Sequence, residues 1–265
     1  MLEESLYKKV IDEVARHTPY LIFYFQGEPY LHRKFLDMVR YARSKEIYTA
    51  TSTNAHYLKD AVAKQTVESG LSRLIVSMDG VTQDVYQQYR VGGKLDKVLS
   101  GIDNIVRWKK ELKSRTPHLI LQFLVTGFNE HQIDDVKSLG KRLGVDEVKL
   151  KTAQVYDYKH GSPVIPKNEK HSRYKQQPDG SFEHKAVIGN SCWRMWQGCV
   201  VTWDGRVAPC CFDKDATHVL GNLKEDSFEN VWKSPAYQNF RANLMKSRSE
   251  IDICTNCSEG LNVWS

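Results

Sequence analysis

The chain has 265 residues, 41% of them hydrophobic and 26% charged. That balance excludes wholesale disorder and suits one large domain or a main domain with a small appendage. The formal net charge of +6 comes from 38 basic and 32 acidic residues, which are interspersed rather than blocked, and this argues against a nucleic-acid partner. No run approaches the roughly 20 apolar residues that span a bilayer, and Met1-Leu2-Glu3-Glu4-Ser5 lacks the make-up of a signal peptide. A cytoplasmic protein with no membrane partner is expected.

The first helix is predicted from Leu6, Val10, Ile11 and Val14, which recur at helical spacing. A short apolar run over 20–25 then ends at Gly27 and Pro29 and reads as a buried strand. Phe35, Leu36, Met38, Val39 and Ala42 mark a second helix, residues 47–52 a second strand, 58–69 a third helix and 73–77 a third strand. Leu95, Val98, Leu99, Ile102, Ile105 and Val106 form a helical stripe, and 118–125 is a fourth strand. Asn129 is expected to cap a helix whose inward face is Ile133, Val136, Leu139 and Leu143, before a fifth strand over 147–153.

Strands alternating with helices of this length imply right-handed βαβ crossovers and a parallel sheet covered by helices. The fold class expected is α/β: a partial (β/α)6 TIM-like barrel over residues 1–156. Because the chain opens on a helix, the first barrel strand is expected upstream of it. Residues 157–191 lose the periodicity and carry Gly161, Pro163, Pro166 and the turn Pro178-Asp179-Gly180, so they read as a connector with a short hairpin. Val91-Gly92-Gly93-Lys94 lacks the spacing of a phosphate loop and reads as a helix stop and restart.

The third region, 192–265, is expected to be a small cysteine-rich α+β domain. It holds all six cysteines: Cys192, Cys199, Cys210, Cys211, Cys254 and Cys257. Thiols crowded together in a reducing compartment point to metal ligation. Asp204-Gly205 is a two-residue hairpin signal, and counting outward from it sets Cys199 opposite Cys210. In Cys254-Thr255-Asn256-Cys257 two intervening residues let both sulfurs reach one centre. Spacing leaves zinc and an iron–sulfur cluster equally open. Cys199 reads as a packed hydrophobe or a cross-hairpin partner of Cys210, and Cys211 falls on the opposite strand face from Cys210. Trp193, Trp196, Trp203 and Trp232 are expected to fill the core around this centre, and no histidine is assigned to a metal.

Phe25-Gln26-Gly27-Glu28-Pro29, Thr53-Asn54, and Ser77-Met78-Asp79-Gly80 followed by Tyr89-Arg90 resemble the radical S-adenosylmethionine superfamily, with Gln26 where that family's turn has its first glycine. Cys192, Trp196, Asp204-Gly205, Pro209-Cys210, Gly221-Asn222, Val231-Trp232 and Cys254-x-x-Cys257 resemble the SPASM or shortened twitch extension. The resemblance implies that Cys192, Cys210, Cys254 and Cys257 hold an auxiliary four-iron four-sulfur cluster. It implies that Gly27 and Glu28 hold the methionine end of S-adenosylmethionine, with Ser77, Asp79 and Arg90 at its ribose or carboxylate. It also implies an enzyme in which a second cluster reduces S-adenosylmethionine to a 5′-deoxyadenosyl radical that takes a hydrogen atom from a peptide or small-molecule substrate, fed by an electron donor. The family's C-x-x-x-C-x-x-C is absent from this sequence, whose first cysteine is Cys192. An N-terminally truncated chain, inactive alone, is therefore expected. A noncatalytic iron–sulfur electron relay and a zinc-stapled interaction domain are the alternatives.

Overall fold

The structure, a computed structural model, describes residues 1–260; residues 261–265 of the expected C-terminal region lie outside the described residues. The chain divides into two compact units, one of residues 19–185 and the other of residues 1–18 with 186–265. Among the described residues no helix is long and apolar enough to cross a membrane.

In chain order the elements are α1 (Glu4–Val14), β1 (Tyr20–Ile22), α2 (Phe35–Ser44), β2 (Tyr48–Thr53), α3 (Asp60–Glu68), β3 (Arg73–Ser77), α4 (Gln83–Tyr89), α5 (Leu95–Glu111), β4 (His118–Val125), α6 (Ile133–Leu143) and β5 (Glu147–Thr152). Strands β1 to β5 form one sheet in sequence order, every neighbouring pair parallel. Each crossover carries at least one helix, as a parallel connection requires. Residues in register alternate between two faces. Leu74, Val76, Leu119, Leu121, Phe123 and Val125 turn to the helices and are sealed against Val39, Ala63, Val98, Ile102, Ile105 and Val136. The other face carries Ser52, Ile75, Ser77, Gln122, Leu124, Lys149 and Lys151. This parallel α/β sheet is the TIM-like half expected from the periodicity. Helix α6 lies so close to β5 that a Cβ on Gly140 would stand 2.2 Å from a Val148 methyl.

The break at Val91-Gly92-Gly93-Lys94 falls between α4 and α5, with Gly92 in the left-handed region at φ +75°. Asn129 does not cap the following helix: its side chain makes no cap hydrogen bond and is used elsewhere, as described below. The connector contains the expected hairpin, β6 (Tyr174–Gln176) antiparallel to β7 (Phe182–His184). It is not a free linker, because its backbone is tied to the loop after β4: Gly127 N donates to Val164 O (3.2 Å), and Asn168 N donates to the Glu130 carboxylate (2.8 Å).

The second unit is built from β8 (Val200–Val201), β9 (Arg206–Ala208), β10 (Gly221–Asn222), α7 (Phe228–Lys233) and α8 (Pro235–Ser247). Strands β8, β9 and β10 form a three-stranded antiparallel sheet with β9 central. Helix α1, which the strand–helix alternation places in the barrel, packs in this unit. Leu6 is 6% exposed among Met195, Val207, Leu220, Leu223 and Val231. Lys9 Nζ donates to Leu223 O (2.6 Å) and Asp226 O (2.9 Å), and the Glu13 carboxylate accepts from Phe228 N (2.6 Å). The 3.6-residue period fixes a helix with one apolar stripe but does not say which core the stripe enters. Burial predicts that Leu6→Ala costs about 2–4 kcal/mol, read as a lowered urea midpoint by tryptophan fluorescence. Leu31→Ala, at a side chain 56% exposed, is expected to shift the midpoint far less; equal shifts would contradict this packing.

Candidate functional site

Two groups of residues singled out by sequence lie at the loop ends of these elements. The first gathers at the carboxyl edge of the parallel sheet, where open α/β folds place their ligands. After β1 the chain turns through Gly27, at φ +82° with nothing within 4 Å of where a Cβ would be. Glu28 then caps the short 3-10 turn Pro29–Leu31. Its Oε1 accepts from Thr53 Oγ1 (2.8 Å) and Tyr30 N (3.2 Å), and its Oε2 accepts from Asn54 N (2.8 Å). Thus the Glu28 carboxylate joins the turn after β1 to the end of β2, and its oxygens are engaged within the protein.

After β3, Ser77 Oγ shares a hydrogen bond with Ser52 Oγ at 3.2 Å. Asp79 is 1% exposed; its Oδ2 accepts from Arg90 Nε (2.6 Å) and its Oδ1 from Leu124 N (2.8 Å). Burial raises the Asp79 carboxyl above the usual carboxylate range, with the Arg90 guanidinium and the Leu124 amide pulling it back. Arg90 remains about one-third exposed. Asn129, fully buried, locks this loop: Nδ2 donates to Asp79 O (2.9 Å) and Leu124 O (2.8 Å), while Oδ1 accepts from Thr126 N (2.7 Å). Gln132 adds a bond from Val81 N to its Oε1 (2.9 Å). Nothing in the sequence marks these two amides as loop ties, because the cap position and the tie look identical in one dimension.

The second group is the cysteines. The β8–β9 hairpin pairs Val200 with Ala208 and Val201 with Val207, and Thr202 N donates to Arg206 O (2.9 Å). Its loop is therefore the three residues Trp203, Asp204 and Gly205, with Gly205 at φ +91°, the three-residue form that ends in a left-handed glycine. The expected two-residue register is off by one. Because strand side chains alternate, Cys199 and Cys210 are not cross-strand partners.

Cys192, Cys210, Cys254 and Cys257 line one cavity, together with Met195, Phe240, Leu244 and Arg248. Cys199 and Cys211 do not line it, and all six cysteines are free thiols. Cys192 precedes the 3-10 turn Trp193–Trp196, and Cys254 ends the 3-10 turn Asp252–Cys254, with Cys257 N donating to Cys254 O (3.2 Å). Gly260, at φ +72°, closes the rim: Trp193 N donates to its carbonyl (2.9 Å), and a Cβ there would stand 2.6 Å from Cys192 Sγ. A side chain at position 260 would crowd the sulfur, so the rim is shaped around the thiol.

Burial pushes the Cys210 thiol up to about 12, partly offset by the Phe212 amide, and the Cys254 thiol up to about 11, partly offset by Arg248. Cys257 is raised by burial as well. Metal ligation requires thiolates, so a metal bound at these positions would displace their protons. Among the described residues no three His, Cys, Asp or Glu side chains gather about a single-ion position; the thiols surround a space instead. The tryptophans differ from expectation. Trp193, Trp196 and Trp203 are 45%, 46% and 61% exposed, and Trp232 alone of the four packs inward, stacked on Phe228 and beneath the Arg241 guanidinium.

Comparison with known proteins bears on the family and the fold. The tungsten-containing aldehyde ferredoxin oxidoreductase cofactor-modifying protein of Pyrococcus furiosus is 25% identical over 97% of this chain and 79% of its own length. Mycofactocin maturase MftC of Mycobacterium ulcerans is 24% identical over 88% of this chain and 67% of its own length. Among solved structures, anSMEcpe with bound AdoMet superposes with a TM-score of 0.65 at 15% identity, over 96% of this chain and 79% of that one, which is a likeness of fold. Residues 192–258 match the SPASM iron–sulfur cluster-binding domain. Residues 2–143, more than half of the chain, match the radical SAM superfamily, and the chain belongs to that family.

Proposed function

We propose that this chain is the core of a radical S-adenosylmethionine enzyme of the SPASM type, with Cys192, Cys210, Cys254 and Cys257 as the ligands of an auxiliary four-iron four-sulfur cluster. The observation that carries this reading is selective: of six cysteines, the four that match the SPASM motif by position line one cavity and the other two do not. Zinc would need four sulfurs on bonds of about 2.3 Å around one point. An iron–sulfur cube also takes four cysteine thiolates, and the match of residues 192–258 to an iron–sulfur cluster-binding domain favours it.

S-adenosylmethionine in this family supplies hydrogen-atom abstraction. The residues of this chain provide the seat. The turn at Gly27 offers bare backbone to the methionine end, because no side chain covers it. Glu28 holds that turn against β2 and acts through it. The exposed part of Arg90 is read as the carboxylate partner, with Asp79 fixing it from behind, and Ser77, buried and bonded to Ser52, as a group at the ribose end of the site. The substrate is read as a peptide or small molecule, in keeping with the cofactor-modifying and maturase names of the relatives, and an external electron donor serves the cluster. Free, unbridged thiols fit a reducing cytoplasm.

Three outcomes test this reading. After anaerobic reconstitution, replacing Cys192, Cys210, Cys254 or Cys257 by alanine is expected to remove most iron and labile sulfide. Cys199→Ala and Cys211→Ala are expected to leave both unchanged, and the reverse pattern would overturn the ligand set. Glu28→Ala should cost about 2–3 kcal/mol through three lost hydrogen bonds and speed amide exchange at Tyr30 and Asn54; unchanged exchange there would contradict the tie. Finally, every cysteine lies at or after position 192, so this chain by itself is expected to form no 5′-deoxyadenosine from S-adenosylmethionine and dithionite. Detecting that product would show that the chain alone suffices.

A further inference from the structure

Arg248 heads the fully buried side chains by volume, at 1% exposure. An arginine sealed from water has five N–H groups to satisfy and a charge that cannot be shed. Here the partners are carbonyls. Nη1 donates to Ser191 O, and Nη2 donates to Cys257 O (3.0 Å) and Glu259 O (3.1 Å). The backbone amide of Arg248 donates to Asn190 Oδ1 (2.9 Å). The fork thus ties the residue before Cys192 to the segment that carries Cys257.

Two things are left over. The Nε–H is buried with no hydrogen-bond partner. Among the described residues no carboxylate neutralises the cation, since the Glu259 carboxylate is paired with Arg194 at 2.6 Å. Arg248 lines the same cavity as the four thiols. Leaving a buried charge uncompensated costs several kcal/mol, so a site of this kind is built for an anionic occupant. Four thiolates outweigh the positive charge of an iron–sulfur core, so a loaded centre is net anionic.

Resting on the ligand reading above, we propose that Arg248 is the positioning residue and counter-ion of the auxiliary cluster. Its carbonyl fork sets the Cys192 and Cys257 segments in place, and its free Nε–H donates a hydrogen bond to a sulfur of the cluster or of its ligands. A donor and a fixed positive charge at that sulfur favour the more reduced, more negative state, which raises the reduction potential.

The full chain, reconstituted anaerobically, is titrated by EPR-monitored reduction. Arg248→Gln is expected to move the one-electron equilibrium at least tenfold towards the oxidised form, about 59 mV. Arg248→Lys, which keeps the charge and loses the directed donor, should fall between. Arg248→Gln with wild-type iron and sulfide content and an unchanged potential would overturn the proposal. If that variant does not fold, the wild type decides the matter. With isotopically labelled arginine, pulsed EPR of the reduced cluster should show a nitrogen coupling that survives Arg194→Lys, and its absence would overturn the proposal. A wild-type chain that takes up no iron and sulfide would instead refute the ligand reading itself, so the two failures are distinguishable.

Discussion

Buried backbone groups at the ends of strands and turns must find partners, and a few polar side chains supply them. Glu28 takes the amides of Tyr30 and Asn54. Asp79 takes the amide of Leu124 and in turn has its own carbonyl bonded by Asn129. Arg248 takes three carbonyls of the thiol-bearing segments. Each leaves an orphaned group worth about 1–3 kcal/mol if removed, and together they convert loops, the least constrained parts of a chain, into fixed seats for chemistry.

This division of labour changes how the carboxylates at the sheet edge are understood. The resemblance assigns Glu28 and Asp79 to the cofactor, yet both point their oxygens at protein donors. Their contribution is rigidity; Gly27 and part of Arg90 stay exposed, while Ser77 is buried with its hydroxyl bonded to Ser52. A bound cofactor then meets a surface whose hydrogen bonds are already organised, which lowers the ordering cost of binding.

The thiol-bearing unit solves a different problem. Its sheet strands are only two or three residues long, too short to hold a core alone. Helix α1 supplies Leu6 to that core, and burial raises the Cys210, Cys254 and Cys257 thiols above their ordinary range. Under the proposed ligand set, metal binding and local stability would be coupled in this unit.

The alternation of apolar runs with helical stripes was sufficient to lay out five parallel strands and their crossover helices, because side-chain period maps directly onto element type. The spacing pointed to a thiol-rich centre, the resemblance to the SPASM motif singled out Cys192, Cys210, Cys254 and Cys257, and these four line one cavity while the other two do not. Tertiary packing alone decided the rest. The hairpin register turned on a third loop residue, and a shift of one residue is invisible to a dipeptide signal while reversing every side chain. The stripe of α1 fitted either core, and only contact placed it beside Val207 and Met195. Asn129 reads locally as a helix cap and nothing local marks Arg248; their bonds run to residues far along the chain, and a one-dimensional pattern carries no record of partners brought together by folding.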